Sequence, residues 1–139
     1  MENKIIEFIN IIADDLGIDS PPVSVDASGF KTKTGLAYCD GSTIFLRSAE
    51  LVPELFLALA HELRHLWQIK NNKAFYFSNY KDNSILDIEA YNLQPAEVDA
   101  NAYAAAVMVD FFSIKPLFQG LPESVVDAIY SRIDEILNE

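Results

Sequence analysis

Cysteine, histidine and positive charge are all scarce in this chain, and each shortage excludes something. Cys39 is the only cysteine among 139 residues. No intrachain disulfide can form, so a packed core must supply the stability, and a reducing compartment fits that usage. Lysine and arginine together number 10 against 21 aspartates and glutamates, a formal net charge of −11. Such a chain has no basic stripe with which to hold a phosphate backbone, and an anionic membrane surface repels it. Neither nucleic acid nor membrane is therefore expected as a partner. No run approaches the roughly 18 consecutive apolar residues that a membrane helix needs. The stretch from Met1 to Asp15 could pass for a targeting signal, but Glu7 and Asn10 interrupt it and no small-residue cleavage site follows. The expectation is a soluble, cytoplasmic protein.

What remains is a globular composition. Half of the residues are hydrophobic and 12% are aromatic, in a length that suits one domain over residues 1–139. Ile5, Phe8, Ile9 and Ile12 recur at helical spacing and predict a packing helix over 2–16, stopped by Gly17. Pro21 and Pro22 extend the chain into a short strand at Val23-Ser24-Val25. Runs at Leu36–Cys39 and Thr43–Leu46, joined by an Asp40-Gly41 turn, complete a small antiparallel or mixed sheet of about three strands. Cys39 reads as a small packed residue rather than a thiolate ligand. Lys31, Lys33 and Arg47 read as solvated surface. Ser48 can cap a helix that runs to about Asn71, with Leu55, Leu59, Leu63 and Leu66 as its core stripe and Phe56 and Trp67 widening it. Residues 71–94 carry aromatics without clear periodicity. A surface loop pinned by those aromatics is the plain reading and a substrate-binding lid the functional one. An alanine-rich helix is predicted over 95–112, opened by Pro95, and a last packing helix over 122–137.

Both of the chain's histidines lie in His61-Glu62-Leu63-Arg64-His65. On a helix, side chains four apart leave the same face, so His61 and His65 can reach one metal at about 2.0–2.1 Å each. Glu62 is turned off that face, where it can touch a metal-held water without ligating, the place of a general base. A catalytic zinc takes three protein ligands. With no further histidine, the candidates are Glu97, Asp99 and Asp110 on the alanine-rich helix. Glu97 is favoured, because Asn101 shares its face and can orient a ligand histidine.

His61-Glu62-x-x-His65, followed by Glu97-x-x-Ala100-Asn101-x-x-Ala104, resembles the gluzincin metallopeptidases, and the compact size resembles the minigluzincins and the ImmA/IrrE-like peptidases. The resemblance spans residues ~36–108. It implies a zincin-like α+β fold in which the sheet packs on an active-site helix and a glutamate-bearing helix, with helices at either end. It implies zinc (Zn2+) held by His61, His65 and Glu97, with Glu62 as general base in peptide hydrolysis, on a peptide or protein substrate. It also implies a strand beside the cleft, here Thr43–Leu46, able to pair with an extended peptide. Two departures stand out. Asn101 occupies a position where many members carry aspartate, and the extra histidine that thermolysin-like members use on the oxyanion is missing. Tyr91, Tyr103 or Arg64 would have to serve, and Tyr91, shortly before the ligand glutamate, is preferred. For Arg64 the plain alternative is a surface ion pair. The alternative function is a regulatory, protein-binding module on the same fold with little or no proteolysis.

Overall fold

A computed structural model describes residues 3–30, 35–77, 80–81, 86–116, 118 and 120–138, with residues 72–77 as backbone only. Lys31 and Lys33 lie outside the described residues. The fold is α+β. Among the described residues there are five helices and one three-stranded mixed sheet: α1 (Asn3–Leu16), β1 (Val23–Val25), β2 (Ala37–Cys39), β3 (Ile44–Leu46), α2 (Pro53–Phe77), α3 (Ile88–Asn92), α4 (Pro95–Phe112) and α5 (Glu123–Leu137).

In α1 the expected stripe is the buried one: Ile5, Phe8, Ile9 and Ile12 face inward and the helix ends at Gly17, whose φ of 69° suits a residue without Cβ. The strand order is β1-β3-β2, with β1 parallel and β2 antiparallel to β3. β3 is central because it is the most apolar strand: Ile44 and Leu46 are fully buried. The Asp40-Gly41 turn between β2 and β3 is locked by the Asp40 carboxylate, which accepts from the backbone N–H groups of Ser42 and Thr43 at 3.0 and 2.8 Å.

Leu55, Leu59 and Leu63 of α2 join α1, Ile44 and Leu46 in the main core. Burying side chains of this size contributes about 1.5–3 kcal/mol each. Phe56, Leu66 and Trp67 pack against that core partly buried, as expected. The start and end of α2 differ from the expectation. Pro53 opens the helix, while Ser48 accepts from the Glu50 N–H ahead of it, so Ser48 is not its cap. The helix runs on to Phe77 instead of stopping near Asn71. The stretch expected to be irregular also contains α3, capped by Asp87, which accepts from the Ala90 N–H at 2.8 Å. Arg47 is not simply solvated either: it bonds the Gly35 carbonyl at 2.7 Å and lies over the Phe30 ring.

α4 matches its expected bounds and is buried nearly all round, with Ala96, Ala100, Ala102 and Ala104 at 0% exposure. Alanine is what permits this, since small side chains let α2 and α5 both approach the α4 backbone closely. Val125 and Ile129 of α5 close over Ala102 in a second, smaller core. Among the described residues no helix is long and apolar enough to cross a membrane.

Candidate metal centre

The close packing of α2 against α4 brings three ligand-type side chains to one point. His61 and His65 leave the same face of α2, and their Nε2 atoms are 3.0 Å apart. Glu97, in the first turn of α4, lies across from them: its Oε1 is 3.3 Å from His61 Nε2 and its Oε2 is 3.1 Å from His65 Nε2. One ligand atom from each residue falls within 4.8 Å of the others. The His61–His65–Glu97 group can therefore hold a metal ion.

The hydrogen bonds behind the rings say which nitrogens face that point. His61 Nδ1 meets the Asn101 carbonyl oxygen at 2.8 Å, and His65 Nδ1 meets Gln68 Oε1 at 2.8 Å. An amide oxygen accepts, so both Nδ1 atoms donate and each neutral ring keeps its lone pair on Nε2. Gln68 has no freedom to flip. Its Nε2 donates to the Ala96 carbonyl at 2.9 Å and to Asp99 Oδ2 at 2.8 Å, which leaves only Oε1 for His65. Two imidazole lone pairs and a carboxylate thus converge, all acceptors. Such an arrangement calls for a cation between them, either protons or a metal, and a set of two nitrogens and one oxygen fits a divalent metal with a position to spare.

The electrostatics agree. Burial works against charge on His65, but the Glu97 carboxylate against its ring outweighs this and lifts its pKa from the ordinary 6.5 to about 9. Burial likewise opposes charge on Glu97, yet the bonds from His61 and His65 hold its carboxyl well below the usual carboxylate range. Glu62 stands beside this trio without joining it. Burial raises its pKa, with the His61 and His65 rings and a hydrogen bond from the Cys39 backbone pulling the other way. Its Oε2 is buried with no hydrogen-bond partner among the described residues. A buried carboxylate oxygen without a partner, on a residue that shares the cleft with His61 and Glu97, suits a proton acceptor for a water there.

His61, Glu97 and Glu62 open onto a cleft of about 590 Å3, lined among others by Ala37, Tyr38, Cys39, Tyr91 and Asn101, while His65 lies behind them. The strand beside this cleft is β2, not the Thr43–Leu46 strand expected there. β3 is held on both sides, by β1 and β2, whereas β2 is the edge. Cys39 is half-buried, and burial pushes its thiol up to about 11, which suits a packed residue and not a ligand.

Other expectations are redistributed. Asp99 is no third ligand: it accepts from Arg64 at 2.8 and 3.0 Å, from Gln68, and from Arg132 of α5 at 2.8 Å. Arg64 is accordingly neither a surface ion pair nor turned to the cleft. It is 5% exposed and lies 3.7 Å from the Trp67 ring centroid. Tyr103 is also turned away, its hydroxyl on Asp15 at 2.8 Å. Asp110 is exposed at the far end of α4. Tyr91 does reach the cleft wall, with a neighbour that periodicity could not place. The Tyr80 hydroxyl donates to Glu97 Oε2 at 2.8 Å and lies 3.2 Å from the Tyr91 hydroxyl. Burial, then Glu97, pushes both phenols up, Tyr91 to about 12. Gln68 was missed as well. Its position one turn after His65 is the only sign of it in the sequence.

No protein-family model matches this chain, and neither does any curated protein or solved structure with which it was compared.

Proposed function

We propose that the protein is a zinc-dependent metallopeptidase. The observation that carries this reading is the convergence of His61, His65 and Glu97 within 4.8 Å beside the open oxygen of Glu62. Structural zinc sites close the metal with four protein ligands, whereas three ligands and a nearby base suit catalysis. Zinc bound there supplies Lewis acidity, toward a carbonyl and toward water.

The chain's own residues do the rest. Glu62 takes a proton from the attacking water and hands it to the amine nitrogen as the C–N bond breaks. Its raised pKa makes it a better base and lets it hold the proton between the two steps. Asn101 and Gln68 keep the two imidazoles in one tautomer and orientation. The β2 edge offers main-chain pairing to an extended peptide. Tyr91 brings a hydroxyl to the Glu97 side of the cleft, where a developing oxyanion needs a donor, and Tyr80, whose proton goes to Glu97, fixes that carboxylate.

Glu62→Gln is the direct test, with unstructured peptides as substrates and metal content measured in parallel. The variant should keep its zinc and its fold and lose hydrolysis, because glutamine fills the same space but cannot accept the proton. Wild-type activity that survives Glu62→Gln would exclude the general base. Zinc binding without hydrolysis of any peptide would move the weight to a partner-binding module.

A further inference from the structure

A second concave surface lies on the other side of α4, away from the metal centre. It is a groove of about 870 Å3 with α1 on one wall and α5 on the other. Ala105 and Ala106 of α4 make its floor. Its apolar walls reach solvent: Ile11 is 44% exposed, Val109 51%, Phe111 44% and Leu137 69%. Its rim is acidic, with Asp14, Asp15, Asp110 and Asp134 against one lining cation, Lys115, which is drawn over the Tyr130 ring at 5.3 Å.

We infer that this groove docks an amphipathic helix of a protein partner, with an apolar face flanked by lysine or arginine. Three features specify that occupant. Apart from Lys115 and Pro116 the lining is helical, so its backbone groups are largely bonded within the helices and the described walls offer no strand edge to pair with. An occupant must satisfy its own backbone, which a helix does. The groove volume corresponds to roughly two turns of a helical cylinder about 10 Å across. The acidic rim selects a basic margin and repels an acidic one. The inference does not depend on the metal site.

The probe is a fluorescein-labelled model helix of leucines at i, i+3, i+4 and i+7 with lysines elsewhere, beside a twin with glutamate for lysine, followed by anisotropy at low salt. The lysine helix should bind and the glutamate helix should bind at least about tenfold more weakly. Asp110→Lys with Asp134→Lys should weaken the lysine helix by a similar factor, while the equal charge change Asp19→Lys with Glu50→Lys on other surfaces should not. Ala106→Trp fills the floor and should abolish binding with the circular dichroism unchanged; should that variant fail to fold, the two charge reversals decide. No binding of the lysine helix would overturn the inference. So would equal weakening by both charge reversals, or binding that persists in folded Ala106→Trp. Wild-type dimers in sedimentation that the groove variants dissociate would overturn it in favour of a second copy of this chain.

Discussion

Glu97 and Asp99 sit two positions apart in the first turns of α4, both buried and both ionised, yet they do opposite jobs. Glu97 faces two imidazoles, Asp99 two guanidiniums. An imidazole gives up its proton near neutrality, so a metal can displace protons from the Glu97 cluster. A guanidinium never does, so the Asp99 cluster is permanent. Burial opposes the charge of both carboxylates, and it is the partner that decides whether the result is an exchangeable site or a fixed joint.

The largest test of this comparison removes each carboxylate in turn. Glu97→Ala should abolish metal binding; its cost to the metal-free fold is the loss of the bonds to His61, His65 and Tyr80, since without the carboxylate burial favours a neutral His65. Asp99→Ala strands Arg64 at 5% exposure. Breaking a buried pair in this way costs about 3–5 kcal/mol. Its effect on the metal should be indirect, through Gln68. Metal titration and chemical denaturation of both variants measure the two effects, and equal metal losses would refute the assignment of Glu97.

Gln68 is where the two clusters touch, since it bonds His65 on one side and Asp99 on the other. Gln68→Leu, like Asn101→Leu, should lower metal affinity by about 10–100-fold, the usual consequence of losing a ligand's orienting bond. Only Gln68→Leu should also lower stability markedly, because it leaves Asp99 one donor short. Calorimetric metal titration beside thermal melts separates the pair. If the two variants behaved alike, the bridge would have no role of its own.

The smallest effect is in pH. In the metal-free protein His65 has a pKa raised to about 9 from 6.5, so its contribution to stability is whole below the lower value and is lost as pH rises through the higher. Asp99 is lowered from 3.8, so its contribution is present above that value and is lost as acid is added. Thermal melts of the metal-free protein should therefore decline both toward acid and toward pH 10. Saturating zinc should remove the alkaline decline, since the proton has already left His65, while apparent metal affinity rises with pH up to about 9. An alkaline decline that zinc leaves unchanged would mean His65 is not the group responsible.

What the sequence revealed, and what it hid, follows the same division. His61, His65, Glu97 and Asn101 were legible because each pair is four apart and helix geometry alone puts them on one face. The bounds of α4 were legible from Pro95 and from its unbroken apolar and alanine composition. Asp99 was rightly set aside as a ligand, but its partners were hidden, and Arg64 was misjudged, because a charged side chain reads as solvated until a partner from another element is known, and Arg132 comes from α5. Tyr80 lies in an aperiodic stretch, where spacing carries no direction. Strands of three residues fix their own faces but not their order, so the cleft edge was assigned to Thr43–Leu46 when it belongs to Ala37–Cys39.

The bond from Arg132 to Asp99 has a consequence for how the molecule is made. All three side chains of the candidate metal centre and the glutamate beside them are synthesised before α5. A nascent chain that has reached Ser113 already holds His61, His65 and Glu97, but α4 has no cover over Ala102 and Asp99 lacks one of its two arginines. The last joint of the site is delivered by the last described helix. A chain on the ribosome should thus complete the Asp99 joint beside the candidate metal centre only after Arg132 has emerged.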